Sequence, residues 1–253
     1  MNDITIPETQ VILNPALETM QRRVDELVNQ LGAYPLQLPE GLATIRGSFK
    51  GQEVYMNSLA WQNDTFRLIR YTGLFCEDKI ATFNFVLYPH HCFDAPIFAS
   101  DWVILGKKLR IAVMDAMPLF PQEEKYARAW VEPFQPLHEL STQLADTYER
   151  KLSWSTKYLG EAACLATQVD VANLVPIVSL WNAYLQLYLA LTQHLTPISA
   201  ARKQEVVQWH QHYNQAHRAI EDQRNPYMVY FGEELGKRFN QEFLFSDDFG
   251  DIK

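Results

Sequence analysis

Asp101 is the residue of this sequence whose surroundings most favour acid–base chemistry. It lies in the apolar run APIFASDWVIL, where it alternates with Ile97, Ala99, Val103 and Leu105. A carboxyl group in such company is costly to ionise, so its pKa rises and it can donate a proton near neutral pH. A buried aspartate that binds a turn or a helix end would show the same pattern, and the pattern alone gives both interpretations equal weight.

Asn84 is a second polar side chain in an apolar strand. Alternation over residues 80–88 places Phe83 and Phe85 on one face, whereas Asn84 shares the other face with Thr82. Such a mixed face is typical of a pocket wall. An amide can orient a ligand or an ordered water, but it cannot supply a proton.

The other titratable groups carry weaker signals. No Cys or His spacing typical of a zinc or iron–sulfur site occurs, and the pair His90-His91 has no evident third ligand. The sequence also lacks G-x-G-x-x-G, a P-loop and G-x-S-x-G. We therefore predict no metal and no tightly bound cofactor, so a redox reaction would need an external electron source. We interpret the following as loop, packing or structural residues: His90, His91, Asp115, His210, His212 and His217.

The composition is that of a chain with room for one large core, since 47% of its 253 residues are hydrophobic. The 13% of aromatic residues suits a pocket lined with rings. The formal net charge of -8 argues against general nucleic-acid binding, which needs a basic face. Neither a signal peptide nor an apolar run of about 18 residues is evident. We therefore expect no membrane span and a cytoplasmic location, or the plastid stroma if a transit peptide has been removed.

Hydrophobic periodicity predicts a helix near the start and six short strands after it. Asn14 and Pro15 suit the opening of the helix, and Gly32 suits its end. Strands joined by short turns indicate a mainly antiparallel meander, because parallel pairs need long crossovers. The predicted strands cover residues 43–49, 53–61, 66–72, 80–88, 97–105 and 109–117.

The second half of the chain has helical periodicity. A sheet buries both of its faces only if helices cover both sides, so we expect an α/β protein. The predicted fold is a single-domain α/β/α sandwich with a central, mainly antiparallel sheet. The predicted helices cover residues 137–149, 170–194, 198–222 and 227–241. Within one domain over 1–253, the expected parts are an N-terminal helix and linker (1–40), the sheet core (43–120), a mainly helical part (121–245) and a frayed acidic tail (246–253).

The sequence resembles the ferredoxin-dependent bilin reductases over nearly its whole length. The most specific segments are FRLIRYTGL (66–74), FNFVLYP (83–89), APIFASDWV (95–103), LRIAVMDAMPLF (109–120) and YFGEELGKRFNQEFLF (230–245). The resemblance implies that an open-chain tetrapyrrole binds between the sheet and the C-terminal helices. It also implies that single electrons arrive from a reduced [2Fe-2S] ferredoxin while the protein supplies protons, which agrees with the missing cofactor motifs.

The resemblance assigns roles to four residues on neighbouring strands. Asp101 matches the family's central proton-donating aspartate. Asn84 and Arg70 fall where the phycocyanobilin-forming branch has histidines, and Thr72 falls where that branch has a glutamate. These departures argue against phycocyanobilin as the product. In having an asparagine at position 84, the sequence resembles the branch that makes phycoerythrobilin or phytochromobilin.

A second acid near the C-terminal helices is associated in the family with reduction of the A-ring. Asp222 is the match we favour; Glu221 lies one position away, and the usual Asp-Pro pair reads Asn225-Pro226 here. The implied reaction reduces 15,16-dihydrobiliverdin to phycoerythrobilin. An upstream bilin reductase that passes on this substrate is a further expected partner. The alternatives are reduction of biliverdin to phytochromobilin and a four-electron reduction of biliverdin to phycoerythrobilin.

A basic face is expected because bilins and ferredoxin are anionic whereas this chain is acidic. Lys107, Lys108 and Arg110 cluster at a strand turn and form the predicted ferredoxin-docking site, although they would serve equally well to solubilise that turn. Arg67 and Arg46 are candidate partners for the bilin propionates. A bilin carrier or lyase that does not reduce its pigment stays open as a function of another class. The acid at position 101 favours reduction, because a carrier needs none.

Overall fold

An antiparallel sheet runs through the middle of the computed structural model, with helices on both of its faces. The structure describes residues 15–77, 79–144, 159–224 and 226–250, without the side chains of 144 and 220–224. The strands within these residues are β1 (Tyr34–Pro35), β2 (Thr44–Phe49), β3 (Gln52–Gln62), β4 (Phe66–Cys76), β5 (Ile80–Pro89), β6 (Ile97–Leu105), β7 (Lys108–Met117), β8 (Cys164–Ala166) and β9 (Val169–Asp170).

The six predicted strands are β2 to β7, and they form the expected meander. The sheet order is β1-β3-β4-β5-β6-β7-β8, with β2 also paired to β3 and β9 to β7. The β2–β3 turn uses Lys50 and Gly51, whose φ angles of 51° and 80° are those of a tight hairpin turn. The unpredicted strands β1, β8 and β9 have only two or three residues. Such strands are too short to show an alternating pattern.

Each predicted helix has a counterpart in the structure, although the ends differ, and residues 145–149 of the predicted helix 137–149 lie outside the described residues. Gly232, with a φ of 89°, divides the predicted helix 227–241 into two. The predicted helix 170–194 begins only at Val175, because Pro176 suits a first turn and not an interior one. The helices are α1 (Pro15–Gln30), α2 (Glu124–Trp130), α3 (Gln135–Leu144), α4 (Val175–Thr192), α5 (Ala200–Arg224), α6 (Pro226–Phe231) and α7 (Glu233–Phe239), with 3-10 turns at Glu132–Phe134 and Val171–Asn173 and a π-helix at Asn240–Leu244.

Each face of the sheet has its own core, as the predicted α/β/α sandwich requires. One core joins the β4–β7 strands to α1 and α4, and Trp102 and Trp181 are its largest buried residues. The other core joins the opposite face to α5 and the segment that follows α6, with Val86, Tyr213 and Phe243 among its members. Long-range packing on both faces fixes the sheet between two helical layers.

The helix α4 has the length and composition to cross a membrane, with a mean hydropathy of 1.2 over 18 residues. No other helix in the described ranges meets that test. Its residues Trp181, Tyr184 and Tyr188 are buried against the sheet. Helices in the core of a folded domain have the same composition, so we interpret α4 as a core helix.

The acidic tail is attached to the fold through residue 250, so the prediction of a frayed tail is wrong for residues 246–250. Asp247 Oδ2 pairs with the Arg218 guanidinium at 2.7 Å, and Asp247 Oδ1 accepts a hydrogen bond from Asn214 Nδ2 at 2.9 Å. The Phe249 carbonyl accepts a hydrogen bond from Arg67 at 3.2 Å. Sequence composition showed the charges of this tail but not the partners that α5 presents to them.

Candidate active site

Asp101, Asn84 and Thr72 lie side by side on three neighbouring strands. Thr72 pairs with Asn84 across β4 and β5, and Asn84 pairs with Asp101 across β5 and β6. Residues that face each other in antiparallel strands project from the same face of a sheet. The register therefore brings the three predicted site residues into one row, on the face that α5 and the C-terminal segment cover.

A chain of hydrogen bonds links this row to the end of the π-helix. Arg70 donates from Nη2 to Asn84 Oδ1 at 3.1 Å, and Asn84 Nδ2 donates to Asp101 Oδ1 at 3.3 Å. Arg70 Nη1 donates to the backbone carbonyl of Leu244. Asn84 thus joins a buried cation to a carboxyl group.

Arg70 lies in the core and is only 2% exposed. Its guanidinium carbon is 5.7 Å from the ring centre of Phe243 and 6.0 Å from that of Phe245, within the range of cation–π attraction. No carboxylate of the described residues forms an ion pair with Arg70. We predicted that Arg70 binds the substrate, but in the structure its side chain is turned toward groups of the protein itself.

The surroundings of Asp101 favour its protonated form. Burial raises the pKa of Asp101 above its ordinary value, while the hydrogen bond from Asn84 and the charge of Arg70 act in the opposite direction. The side chain is half-buried and not fully enclosed. A carboxyl group whose pKa is raised and which still reaches the surface has two properties that a proton donor needs.

The sheet face around Asp101 is open on one side. The helix α5 covers the half of this face near Tyr88, while the half nearer the β6–β7 turn is only partly buried. We call this half the open face; its half-buried residues are Thr82, Asn84, Asp101, Val103, Ile111 and Val113. A few polar groups among apolar ones is the usual lining of a ligand site.

The helix α5 presents aromatic and imidazole rings to Arg70. Tyr213 and His217 have ring centres 4.3 Å apart, and His217 stacks on Phe245 with centres 5.0 Å apart. Burial, and then the charge of Arg70, lowers the pKa of His217 to about 4, so its ring is neutral at physiological pH. Sequence reasoning missed Tyr213, Phe243 and Phe245 as neighbours of the site. The spacing of positions 210, 213 and 217 on one helix face was the available signal.

The three histidines of α5 behave as predicted for packing or surface residues. His210 and His217 are buried, at 2% and 7% exposure, whereas His212 is exposed. The ring of His210 lies 5.0 Å from that of His91 and 6.1 Å from that of Tyr88. The described residues contain no group of three or more His, Cys, Asp or Glu side chains that could hold a metal ion.

Three other predicted bilin contacts, Thr72, Arg67 and Arg46, are not among the half-buried residues of the open face. Thr72 is 1% exposed, and its hydroxyl lies 3.4 Å from that of Ser58. Arg67 is also 1% exposed, with its guanidinium 5.0 Å from the centre of the Tyr88 ring. Arg46 is on the surface of β2, where it pairs with Glu53.

The predicted ferredoxin-docking residues lie at the β6–β7 turn. Lys107 is exposed, Lys108 Nζ pairs with Asp170 at 2.9 Å, and Arg110 donates to Gln168 at 3.0 Å. Lys107 lies in the turn after β6, which ends at Leu105, and the strand from Asp101 to Leu105 spans about 13 Å. The cluster therefore borders the open face without reaching Asp101.

The structure describes the side chain of Asp115 but not those of Asp222 and Glu221. Asp222 and Glu221 fall in the last turn of α5, and their side chains lie outside the described part of the chain. Asp115 is 2% exposed and accepts a hydrogen bond from the Gly160 N–H at 2.6 Å. Burial raises the pKa of Asp115 to about 7. Its position agrees with the structural role predicted for it.

Comparisons with known proteins agree with this architecture. A family model described as ferredoxin-dependent bilin reductase matches residues 20–246. The chain is 28% identical to the 15,16-dihydrobiliverdin:ferredoxin oxidoreductase of Gloeobacter violaceus, over 92% of this chain and 94% of the relative. It is 26% identical to the phycoerythrobilin:ferredoxin oxidoreductase of Nostoc punctiforme, over 96% of this chain and 94% of the relative. Tomato phytochromobilin synthase in complex with biliverdin has the same fold, with a TM-score of 0.79, 18% identity and coverage of 94% of this chain and 85% of that one.

Proposed function

Because this chain belongs to the family of ferredoxin-dependent bilin reductases, we propose that it reduces 15,16-dihydrobiliverdin to phycoerythrobilin with electrons from reduced ferredoxin. The observation that carries the proposal is the half-buried Asp101, whose surroundings favour the protonated form on a face lined by apolar residues. A planar, mostly apolar tetrapyrrole suits such a face.

The reaction consumes two electrons and two protons. Two molecules of reduced ferredoxin each supply one electron, and each is oxidised in doing so. Asp101 gives one proton to the bilin and is left as a carboxylate. Asp222, or Glu221 beside it, gives the other proton to the A-ring diene. Delivery of the two protons from different positions decides which double bond is reduced.

The choice of bilin is supported by the residues of the row and by the relatives. Asn84, Thr72 and Arg70 all depart from the residues that the phycocyanobilin-forming branch has at these positions. The names of the two relatives carry 15,16-dihydrobiliverdin and phycoerythrobilin. The proposed reaction contains both of these bilins, the first as substrate and the second as product.

A second candidate is the reduction of biliverdin to 15,16-dihydrobiliverdin. It is favoured by the relative from Gloeobacter violaceus, which is slightly more similar to this chain than the phycoerythrobilin:ferredoxin oxidoreductase is. This reaction also needs two electrons, one from each of two reduced ferredoxins, and two protons. It differs in reducing the bridge between two rings, where a single acid near the centre of the bilin would give one proton, take up another from water and give the second.

The test is an anaerobic assay in which biliverdin and 15,16-dihydrobiliverdin are offered separately with reduced ferredoxin. Absorption spectra follow the reaction, and chromatography identifies the product. We expect 15,16-dihydrobiliverdin to be consumed and phycoerythrobilin to form. Conversion of biliverdin alone, with accumulation of 15,16-dihydrobiliverdin, would establish the second candidate. A shifted substrate band without reduction of either bilin would point to a carrier and overturn both.

A further inference from the structure

We propose that Arg70 is a positioning residue, which holds the Asn84 carbonyl so that the Asn84 amino group faces Asp101 Oδ1 and the proton of the neutral acid lies on Oδ2. This inference rests on the proposed function, since it concerns the acid that would protonate the bilin. It also replaces the expectation that Arg70 binds the substrate directly.

The orientation of Asn84 follows from the chemistry of its neighbour. A guanidinium has only donors, so the Asn84 atom 3.1 Å from Arg70 Nη2 must be the carbonyl oxygen. The amino group then faces Asp101 Oδ1, at 3.3 Å. A proton on Oδ1 would meet this N–H, whereas Oδ2 accepts no hydrogen bond from the described residues. The proton of the neutral acid is therefore placed on Oδ2.

The orientation of Arg70 is fixed in turn by the C-terminal segment. Its second terminal nitrogen donates to the Leu244 carbonyl, which closes the π-helix. The rings of Phe243 and Phe245 contact the guanidinium, and the side chain is 2% exposed. A π-helical turn leaves backbone groups without their usual partners and often occurs at functional sites. Here its last carbonyl, that of Leu244, accepts a hydrogen bond from the buried Arg70 guanidinium.

The charge of Arg70 couples the electron to the proton. No carboxylate of the described residues pairs with Arg70, and Asn84 links its guanidinium to the carboxyl group of Asp101. With Asp101 protonated, one positive charge lies beneath the open face and favours addition of an electron to the bilin. When Oδ2 then releases its proton to the reduced bilin, the Asp101 carboxylate neutralises that charge. The charge of Arg70 thus favours electron addition to the bilin, and it also favours the proton transfer because it stabilises the carboxylate that forms.

Two titratable groups of the described residues interact electrostatically with Asp101, namely Arg70 on β4 and Tyr213 on α5. Behind them, Asp115 on β7 interacts with Tyr213, and His217 on α5 interacts with Arg70. The His217 ring is neutral, since its pKa is lowered to about 4. Arg70 is the one cation among them, and it lowers the pKa of Asp101. Its removal should therefore move the titration of Asp101 to higher pH.

The main test compares Arg70→Met with Arg67→Met. Both arginines lie on β4 and are at most 2% exposed, but only Arg70 contacts Asn84. For Arg70→Met we expect little change in KM for the bilin, a loss of kcat of about tenfold or more, and a shift of the pH–rate limb of Asp101 to higher pH. Arg70→Lys, which keeps a charged donor, should recover part of the loss. Arg67→Met should leave that limb in place, even if it lowers stability.

A second variant and a second measurement cover the case in which Arg70→Met does not fold. Asn84→Leu removes the link and leaves Arg70 bonded to Leu244, and it should also move the limb to higher pH. Infrared difference spectra of the bilin-free protein, with Asp101→Asn as the reference, follow the carboxyl band directly. An Asp101 titration that is the same in the wild type, Arg70→Met and Asn84→Leu would overturn the role of Arg70. If the wild type reduces no bilin, the proposed function fails, while the infrared titration still decides the inference.

Discussion

At the scale of single residues, Asp101 owes its chemistry to three opposing influences. Burial favours the neutral acid, whereas the Asn84 hydrogen bond and the Arg70 charge favour the carboxylate. A group held between these influences can both keep a proton and release it. The neighbouring strands thus tune the pKa of the acid through Asn84 and Arg70.

Substitution of Asp101 by asparagine should separate binding from turnover. Asparagine has nearly the same shape but no transferable proton, so the bilin should bind with a Kd close to that of the wild type. Turnover with reduced ferredoxin should fall by about a hundredfold or more. Spectral titration measures the binding and the anaerobic assay measures the rate. Full activity of Asp101→Asn would show that another group supplies the proton.

Buried histidines make stability depend on acid. Burial lowers the pKa of His217 to about 4 and that of His91 to about 3, so the unfolded chain takes up protons first as the pH falls below about 6.5. This uptake favours unfolding. Asp115 acts in the opposite sense, because its pKa is raised to about 7 and the folded state holds that proton more tightly. Its contribution falls as the pH rises from about 4 to 7.

We therefore expect the free energy of unfolding to fall between pH 6.5 and pH 4, since three histidines have lowered pKa values whereas two acids, Asp101 and Asp115, have raised ones. Replacement of His217 by phenylalanine should remove about 3 kcal/mol of this loss at pH 4. His212, exposed on the same helix, provides the matched control as His212→Phe. Denaturant titrations at a series of pH values give the slopes. Equal slopes for both variants would contradict the lowered pKa of His217.

At the scale of elements, the central strands and the row Asn84–Asp101 were predictable because alternation is a local property of the sequence. That the two side chains share a face follows from the alternation, whereas the β5–β6 register also depends on the connection over residues 90–96. The links to the C-terminal segment were not predictable. Leu244 offers only a backbone carbonyl, which no residue type marks, and it meets Arg70 across 174 residues. The attachment of the tail was missed for the same reason.

The attachment of the C-terminal tail to α5 can be tested at Asp247. Its carboxylate is 32% exposed and has two partners, Asn214 and Arg218. We expect Asp247→Ala to lower the free energy of unfolding by about 1 to 2 kcal/mol. Asp248→Ala is the control, because Asp248 is exposed and the described contacts use only its backbone N–H. Equal stability of both variants in denaturant would show that the tail adds nothing to the fold.

At the scale of the whole molecule, the acidic chain must still attract an acidic electron donor. A net charge of -8 repels ferredoxin on average, so docking needs a local positive field. Lys107 is exposed at the turn that borders the open face, whereas Lys108 and Arg110 already have partners. The proposed docking site thus rests mostly on Lys107, with Lys108 sharing its charge with Asp170.

Reversal of charge at this turn should weaken docking in a salt-dependent way. For Lys107→Glu with Lys108→Glu, we expect KM for ferredoxin to rise several-fold at low ionic strength and the difference to shrink as salt is added. Lys125→Glu, on the exposed surface of α2, changes charge elsewhere and serves as the control. Turnover at a range of salt concentrations measures the effect. A loss that does not change with salt would argue against docking at this turn.

The links between the sheet and the C-terminal segment also determine when the site forms. The strands β2 to β7 pair with their neighbours in sequence, so the sheet closes through short loops. Arg70 and Leu244 are 174 residues apart, and Arg67 and Phe249 are 182 apart. Closing such long loops costs more entropy than closing short ones. During synthesis, these links can form only after the C-terminal segment has been made. We expect a refolding chain to regain its sheet first and its affinity for bilin last.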